Sequence, residues 1–147
     1  MSFFPTPVLV GVDGTPAGHH AVTAAAELCI VTGSPLHLVH VKLTSGTLRG
    51  RPMTPAQREQ ADTEATAVLE RESAEAAALG ADVAGTHVRY GDRPESVFAK
   101  LQAELDAGLL VIGARGRGAL ASRLMADEAA SPSSTVRRSR ASVWVVR

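Results

Sequence analysis

Residues 109–118 read LLVIGARGRG, four apolar residues followed at once by a glycine-rich turn. A short apolar run that ends in glycine predicts a strand buried on both faces of a parallel sheet. Gly113, Gly116 and Gly118 give a loop with little side-chain bulk, whose backbone N–H groups can turn toward an anion. Arg115 lies between the glycines and adds positive charge. This pattern favours a phosphate-binding loop, and an ordinary solvated turn of an α/β protein is the alternative.

The loop matches neither of the two common phosphate-binding patterns. Gly113 and Gly118 have the spacing of a Walker A loop, but Ala119 and Leu120 stand where that loop needs Lys and Ser or Thr. The glycine order G-x-x-G-x-G also differs from the dinucleotide fingerprint G-x-G-x-x-G. A known nucleotide motif is therefore not established by the loop alone.

Composition limits the classes to which the chain can belong. Its 147 residues suffice for one domain, which we expect to span residues 1–147. Fifteen basic and fifteen acidic residues give a net charge of zero, and aromatic residues make up 3%, so we expect no nucleic-acid partner. The chain has no apolar run near the roughly 18 residues that a membrane helix needs, and no secretory signal at its start. We therefore expect a cytoplasmic protein without a membrane partner.

Apolar runs alternate with helical patterns along the chain. The helices are bounded by favourable residues: Thr15 can cap the first, Thr54 and Gln57 form a capping-box pattern before the second, and Asp92 is placed to cap the third. On the first helix Val31 belongs to the predicted inner row, and on the second helix so does Leu79. The predicted strands cover 7–12, 35–41, 82–89, 109–112 and 142–146. The predicted helices cover about 17–32, 55–79 and 94–106, with a fourth within 120–138 whose start is undecided.

This alternation predicts the fold class. We expect an α/β protein with a doubly wound, five-stranded parallel sheet, strand order 3-2-1-4-5 and helices on both faces, which is a Rossmann-like arrangement. Ligands bind such sheets beyond the carboxyl ends of the strands, where the winding reverses. The turn at Asp13, Gly14 and Thr15 and the loop after Ile112 both lie there. A ligand crevice is therefore expected between strands 1 and 4.

Four sequence blocks, taken together in this order, resemble the universal stress protein family. They are VLVGVDGTP near the start, LHLVHV in the second strand, YGDRPESV before the third helix, and LLVIGARGRG. The resemblance implies the strand order derived above. It also implies an adenine nucleotide as ligand, either ATP, with or without Mg²⁺, or AMP or cyclic AMP, and a homodimer.

The resemblance also assigns roles to individual residues. Asp13 would contact the adenosine portion and Val41 would line the adenine pocket, while Gly113 and Gly116 would lie against ribose and phosphates. The candidate nucleotide-binding residues are Val12, Asp13, Gly14, Thr15, Val41, Gly113, Arg115, Gly116, Gly118 and Ser131. Replacing Gly113 by valine is expected to abolish nucleotide binding without unfolding the protein. No metal-ligating or catalytic residue is assigned.

The chain departs from the second half of the family's pattern, G-x2-G-x9-G-[S/T]. Counting from Gly116 places Ala126 and Asp127 where Gly and Ser or Thr are expected, and counting back from the last strand reaches Ala129 and Ala130. That pair normally opens a helix whose N–H groups hold the terminal phosphates. Ser131 lies close by and is a candidate for the replacement hydroxyl.

Three functions therefore stay open at this point. The first is a stress-response regulator that binds an adenine nucleotide. The second is a family member that has lost nucleotide binding and acts as a dimeric interaction module. The third is an enzyme, and only slow ATP hydrolysis is considered for it. Asp13 is the one carboxylate that we can place in the crevice, so we predict that the protein is not an enzyme.

Two further features bear on partners and metals. The last strand, SVWVV, is short and very apolar, and an unprotected edge of this kind invites pairing with a second chain. We expect a homodimer with Val143, Trp144 and Val145 at the interface, unless the segment around Phe3 covers that edge. His37 and His40 should point to opposite faces of their strand, so we expect no shared metal site.

Overall fold

The computed structural model describes residues 2–43, 47–48, 51–91, 93–114 and 141–147. The predicted helix within 120–138 lies outside these ranges. The described strands are β1 (Val8–Gly11), β2 (Leu36–Leu43), β3 (Thr47–Leu48), β4 (Arg51–Pro52), β5 (Val83–Gly91), β6 (Leu109–Gly113) and β7 (Ser142–Val146). The described helices are α1 (Pro16–Thr32), α2 (Pro55–Leu79) and α3 (Pro94–Leu105).

Five of these strands form one parallel sheet in the order β5-β2-β1-β6-β7. When the sheet strands alone are numbered along the chain, this is the predicted order 3-2-1-4-5, so the predicted fold class is confirmed. The remaining strands, β3 and β4, pair antiparallel as a short hairpin. The predicted elements leave residues 42–54 without a strand, so this hairpin was not predicted from the sequence.

The central strand β1 is buried along its whole length, and its side chains alternate between two apolar clusters. Val8 and Val10 belong to a cluster that includes side chains of α1 and α2. Leu9 belongs to a second cluster with Phe98 and Leu101 of α3. Because α1 and α2 cover one face and α3 covers the other, the helices flank both faces, as predicted.

Local capping chemistry explains where two of the helices begin. Thr15 caps α1 by accepting a hydrogen bond from the Gly18 N–H at 3.2 Å, and Thr54 forms the predicted capping box with Gln57. Helix α3 has Arg93 at its N-cap position and no side-chain hydrogen bond there. The predicted cap at Asp92 is therefore wrong in position, and Asp92 itself lies outside the described residues.

The inner faces of α1 and α2 differ from prediction near the helix ends. Val31 is 84% exposed and Leu79 is 51% exposed, so both predicted inner positions are wrong. Glu72 is buried on α2 with Leu69 and Ala76. The buried Cys29 lies in the α1 core, where burial raises the pKa of its thiol to about 11, so the thiol is protonated and unreactive at neutral pH.

Gly113 lies at the end of β6, directly against the first turn of α1. A Cβ atom on Gly113 would be 2.6 Å from the carbonyl oxygen of Ala17 and 2.8 Å from its carbonyl carbon. Since these are backbone atoms, no side-chain rotation could relieve the overlap. Gly113 is thus required for packing α1 onto the sheet, whatever else it does. The substitution Gly113→Val therefore disturbs the fold, and it cannot test ligand binding in the way that the sequence suggested.

We expect Gly113→Ala to destabilise the protein by about 1–3 kcal/mol, because the added methyl group overpacks the contact with α1. Urea unfolding followed by circular dichroism would measure this. The matched control is Gly85→Ala on β5, where the new methyl group would lie 3.2 Å from atoms of two histidine side chains. This substitution should lower the free energy of unfolding by less than Gly113→Ala does. Equal stability of Gly113→Ala and the wild type would contradict this packing role.

Candidate functional site

The turn after β1 holds the Asp13 carboxylate in a fixed position. Its Oδ1 atom accepts hydrogen bonds from the Thr15 backbone N–H at 3.0 Å and from the Thr15 hydroxyl at 2.5 Å. Gly14 supplies the positive φ of 80° that this turn needs. Because Thr15 also caps α1, the start of the helix and the orientation of Asp13 are set by the same residue.

Gly18 lets the first turn of α1 come close to this carboxylate. A Cβ atom on Gly18 would lie only 2.5 Å from Asp13 Oδ1. In the described part of the chain, Oδ1 receives the hydrogen bonds and Oδ2 receives none. Asp13 therefore keeps one oxygen free to accept a hydrogen bond from a ligand.

A cavity of about 330 Å³ lies beside Asp13, between the carboxyl end of β2 and helix α2. This volume is at the small end of the range typical of ligand sites. The walls combine apolar side chains of α2 with polar groups from the strand ends. The lining residues are Asp13, His40, Val41, Lys42, Met53, Ala61, Glu64, Ala65 and Val68.

Charged and titratable groups make one wall of this cavity polar. Burial, helped by the nearby Lys42 ammonium, lowers the pKa of His40, so its imidazole is neutral at pH 7. Its Nδ1 atom is buried and has no hydrogen-bond partner among the described residues. Lys42 Nζ contacts Asp62 Oδ1 at 2.5 Å, and the Tyr90 hydroxyl donates to the same oxygen at 2.7 Å. Lys42 is therefore held in place at the rim by an ion pair.

The structure brings only some of the predicted site residues together. Asp13 and Val41 both line the cavity, with Gly14 and Thr15 in the adjoining turn. The Val41 side chain packs against the α3-side cluster, so Val41 meets the cavity through its backbone. Val12 is 3% exposed and belongs to the core, and its N–H donates to Val39. Any contact of Val12 with a ligand would thus come from its carbonyl group.

The other predicted site residues lie elsewhere or are not described. Gly113 contacts the first turn of α1. The described residues that line the cavity come from β2, from α2, from the turn after β1 and from Met53, and none of them is from β6. The predicted crevice between strands 1 and 4 includes the loop after β6, most of which lies outside the described ranges, so this crevice stays a prediction. Arg115, Gly116, Gly118 and Ser131 lie outside the described residues, and their predicted roles stay predictions.

Sequence reasoning missed several residues of this cavity. Glu64 adds a second carboxylate beside Asp13, and His40 and Lys42 flank the predicted Val41. The strand alternation could have identified His40 and Lys42, since both lie on the strand face opposite to Val41. The contribution of α2 could not be found in this way, because it depends on how the helix is docked against β2.

Two other histidines meet on the opposite face of the sheet. His37 Nδ1 and His87 Nε2 are 3.1 Å apart, where β2 pairs with β5. His40 lies on the α2 side, so the prediction that His37 and His40 point to opposite faces is confirmed. Burial is the main cause that lowers the pKa of both His37 and His87. The charge of Asp82 partly opposes this lowering of the pKa at His37. At His87, Arg89 lowers the pKa further and Glu104 partly opposes the lowering.

A sequence model of the universal stress protein family matches residues 6–147. The chain belongs to the universal stress protein family. This confirms the resemblance that the four sequence blocks indicated.

Comparison with a curated sequence agrees with this membership. A universal stress protein from Mycolicibacterium smegmatis is 31% identical over 127 residues, which are 81% of this chain. The same match covers 39% of that relative, so this chain spans less than half of the relative's length.

Solved universal stress proteins share the fold. One, in complex with dAMP, is from Archaeoglobus fulgidus; it has a TM-score of 0.65 and 21% identity, over 97% of this chain and 98% of that chain. Another, in complex with cAMP, has a TM-score of 0.65 and 23% identity, over 97% of both chains. Within the described ranges, no helix combines the length and the apolar character needed to cross a membrane.

The histidine pair predicts a pH dependence of stability. Because the folded state lowers both pKa values from 6.5, the unfolded chain takes up protons more readily below about pH 6.5. This contribution to the free energy of unfolding is therefore present at neutral pH and is lost as the pH falls. Urea unfolding between about pH 5 and pH 7.5 should show a weaker pH dependence for His37→Gln/His87→Gln than for the wild type.

The exposed His20 provides the control for this experiment. His20→Gln should keep the pH dependence of the wild type. The same slope in the double variant and the wild type would contradict the assignment of this effect to the pair.

Proposed function

We propose that the protein is a stress-response regulator that binds an adenine nucleotide, with the adenosine portion in the cavity beside Asp13. The single observation that carries this proposal is the combination of a fixed carboxylate, with one free oxygen, and an apolar wall from α2. A hydroxyl of ribose or the amino group of adenine can donate to the free oxygen, and the base can lie against Ala61, Ala65 and Val68. The related structures with dAMP and cAMP support this choice of ligand class.

The charges around the cavity favour a ligand with few phosphates. Asp13 and Glu64 are carboxylates, His40 is neutral, and Lys42 is already paired with Asp62. Among the described residues of the lining, no unpaired cation faces a phosphate group. We therefore propose AMP or cyclic AMP as the preferred ligand, with ATP, with or without Mg²⁺, dependent on residues 115–140. Arg115, Gly116, Gly118 and Ser131 remain the proposed phosphate contacts.

The alternative function is a family member without nucleotide binding that acts as a dimeric interaction module. The missing Gly-Ser pair after Gly116 favours it. Both candidates are binding roles, and we propose no reaction for Asp13 or Glu64. We also propose a cytoplasmic location and a single domain over residues 1–147. The single domain is supported by the sheet, because β1 near the start of the sequence and β7 near its end belong to the same sheet.

Calorimetric titration with AMP, cyclic AMP and ATP tests the proposed ligand, and Ala61→Leu tests its location. Ala61 is a partly exposed helix residue of the cavity wall, so leucine should fill the cavity without unfolding α2. We expect Ala61→Leu to bind AMP or cyclic AMP at least about tenfold more weakly than the wild type does. The matched control is Ala67→Leu, the same change at an exposed position of the same helix, and it should bind like the wild type.

A second variant tests the carboxylate itself. Asp13→Asn keeps a carbonyl oxygen for the hydrogen bonds from Thr15 but replaces the free oxygen by a donor, so binding should again weaken about tenfold or more. Asp106→Asn, at an exposed position after α3, is its control. Absence of heat with all three nucleotides in the folded wild type would favour the interaction module. Unchanged binding in both cavity variants would place the ligand elsewhere.

We also propose that the protein is a homodimer that pairs through β7. This strand is at the open edge of the sheet next to β6, with Val143 48% exposed and Trp144 40% exposed. Phe4 packs against the core, and the Phe3 ring is placed near Gly108, before β6 begins. An exposed apolar edge strand readily pairs with a second copy, and Val145 would lie in the same interface.

Val143→Lys should convert the dimer to a monomer, because a lysine on an edge strand opposes pairing. Sedimentation equilibrium at tens of micromolar would measure the mass. Val31→Lys makes the same chemical change at an exposed site on α1 and should leave the dimer intact. A monomeric wild type under these conditions would overturn the dimer proposal without affecting the nucleotide proposal.

A further inference from the structure

Three metal-ligating side chains from two helices converge away from the cavity. His19 lies in the second turn of α1, and Glu72 and Glu75 lie one turn apart on α2. His19 Nδ1 is 2.9 Å from Glu72 Oε2 and 3.0 Å from Glu75 Oε2. The three potential ligand atoms all lie within 4.8 Å of one another. None of these residues lines the cavity beside Asp13.

The cluster combines one buried carboxylate with two partly exposed ligands. The Glu72 side chain is 1% exposed, whereas those of His19 and Glu75 are 42% and 49% exposed. Arg71 Nη2 is 3.6 Å from the other oxygen of Glu72. The hydrogen bond to Glu72 is the main cause that raises the pKa of His19, so a protonated imidazole is the cation that compensates the buried carboxylate when no metal is bound.

A metal ion would take the place of the proton on His19 Nδ1. This nitrogen lies within 3.0 Å of one oxygen of Glu72 and one oxygen of Glu75, so it faces both carboxylates. Metals bind the deprotonated imidazole, so metal binding would release the proton from Nδ1. The three side chains would then bind one divalent cation instead of sharing one proton.

We infer that His19, Glu72 and Glu75 form a binding site for a divalent transition-metal ion of the zinc class. Such ions bind imidazole nitrogen and carboxylate oxygen at about 2.1 Å, most often in a tetrahedral arrangement, so ligand atoms around one ion lie about 3.4 Å apart. The separations of 2.9 and 3.0 Å from Nδ1 are within about 0.5 Å of this value, so small side-chain movements would suffice to admit the ion. The exposed sides of His19 and Glu75 leave room for water to complete the coordination.

The consequence of this site is a link between α1 and α2. The metal would bond to one side chain of α1 and two of α2, and binding to the folded state alone stabilises that state. The inference uses no part of the nucleotide site, so either proposal can fail without the other.

Isothermal titration of metal-free, tag-free protein with Zn²⁺ alone tests this inference. We expect one ion per chain, and a higher melting temperature with Zn²⁺ than without it. His19→Gln and Glu75→Gln should each weaken binding by at least about tenfold and remove the thermal shift. Both residues are partly exposed, so these variants should fold, which circular dichroism would verify.

Two controls make the result specific. His20→Gln removes the neighbouring exposed histidine, and His37→Gln/His87→Gln removes the other described pair of potential ligands. Both controls should bind Zn²⁺ like the wild type. Absence of binding at about 1 mM Zn²⁺, unchanged affinity in His19→Gln and Glu75→Gln, or loss of binding only in a control would each overturn the inference.

Discussion

The close approach of the first turn of α1 to the ends of β1 and β6 is the constraint on which the site depends. Two glycines permit it: Gly18 leaves space for the Asp13 carboxylate, and Gly113 leaves space for the backbone of Ala17. With a larger residue at either position the helix would have to move away from the sheet. The carboxylate would then lose the hydrogen bonds that fix it, because Thr15 provides them and also caps the helix.

The Asp13 turn that this constraint fixes also borders the cavity in which we propose a ligand. Asp13 lies at one wall of this cavity, on the β2 side of β1. There, α2 stands away from the end of β2 and exposes small side chains toward the cavity. A planar base fits such a surface, whereas the carboxylates of Asp13 and Glu64 disfavour phosphate groups. If the protein binds a nucleotide as we propose, these charges favour the adenosine portion, rather than the phosphates, in this cavity.

Features determined by neighbouring residues could be predicted from the sequence. The Thr15 and Thr54 caps, the order of the five sheet strands and the opposite directions of His37 and His40 follow from local chemistry and strand alternation. Features that depend on docking could not be predicted. Glu72 lies on the inner face of α2 next to His19 of α1, and Val31 is exposed because it lies on the side of α1 opposite to the buried Cys29.

The residues of the candidate site also fall into those that the sequence could predict and those that it could not. Asp13 was identifiable because a carboxylate after a buried strand is a local pattern, and the structure places this side chain at the wall of the cavity. Glu64 and Ala61 belong to a helix that follows the hairpin β3–β4 in the chain, and the polar sequence of that region did not indicate where this helix would dock. The contacts of a helix with a distant strand therefore require the whole fold.

Helix α2 joins the cavity to the proposed metal site. Val68 lines the cavity and Glu72 lies one helical turn further along, so both belong to the same rigid segment. A metal that holds α2 against α1 would fix the distance between the cavity wall and the Asp13 turn, since that turn begins α1. If ions and nucleotides each bind where we propose, any effect of the metal on nucleotide affinity must be matched by an equal effect of the nucleotide on metal affinity. The buried charge of Glu72 would then contribute to ligand binding at a cavity that it does not touch.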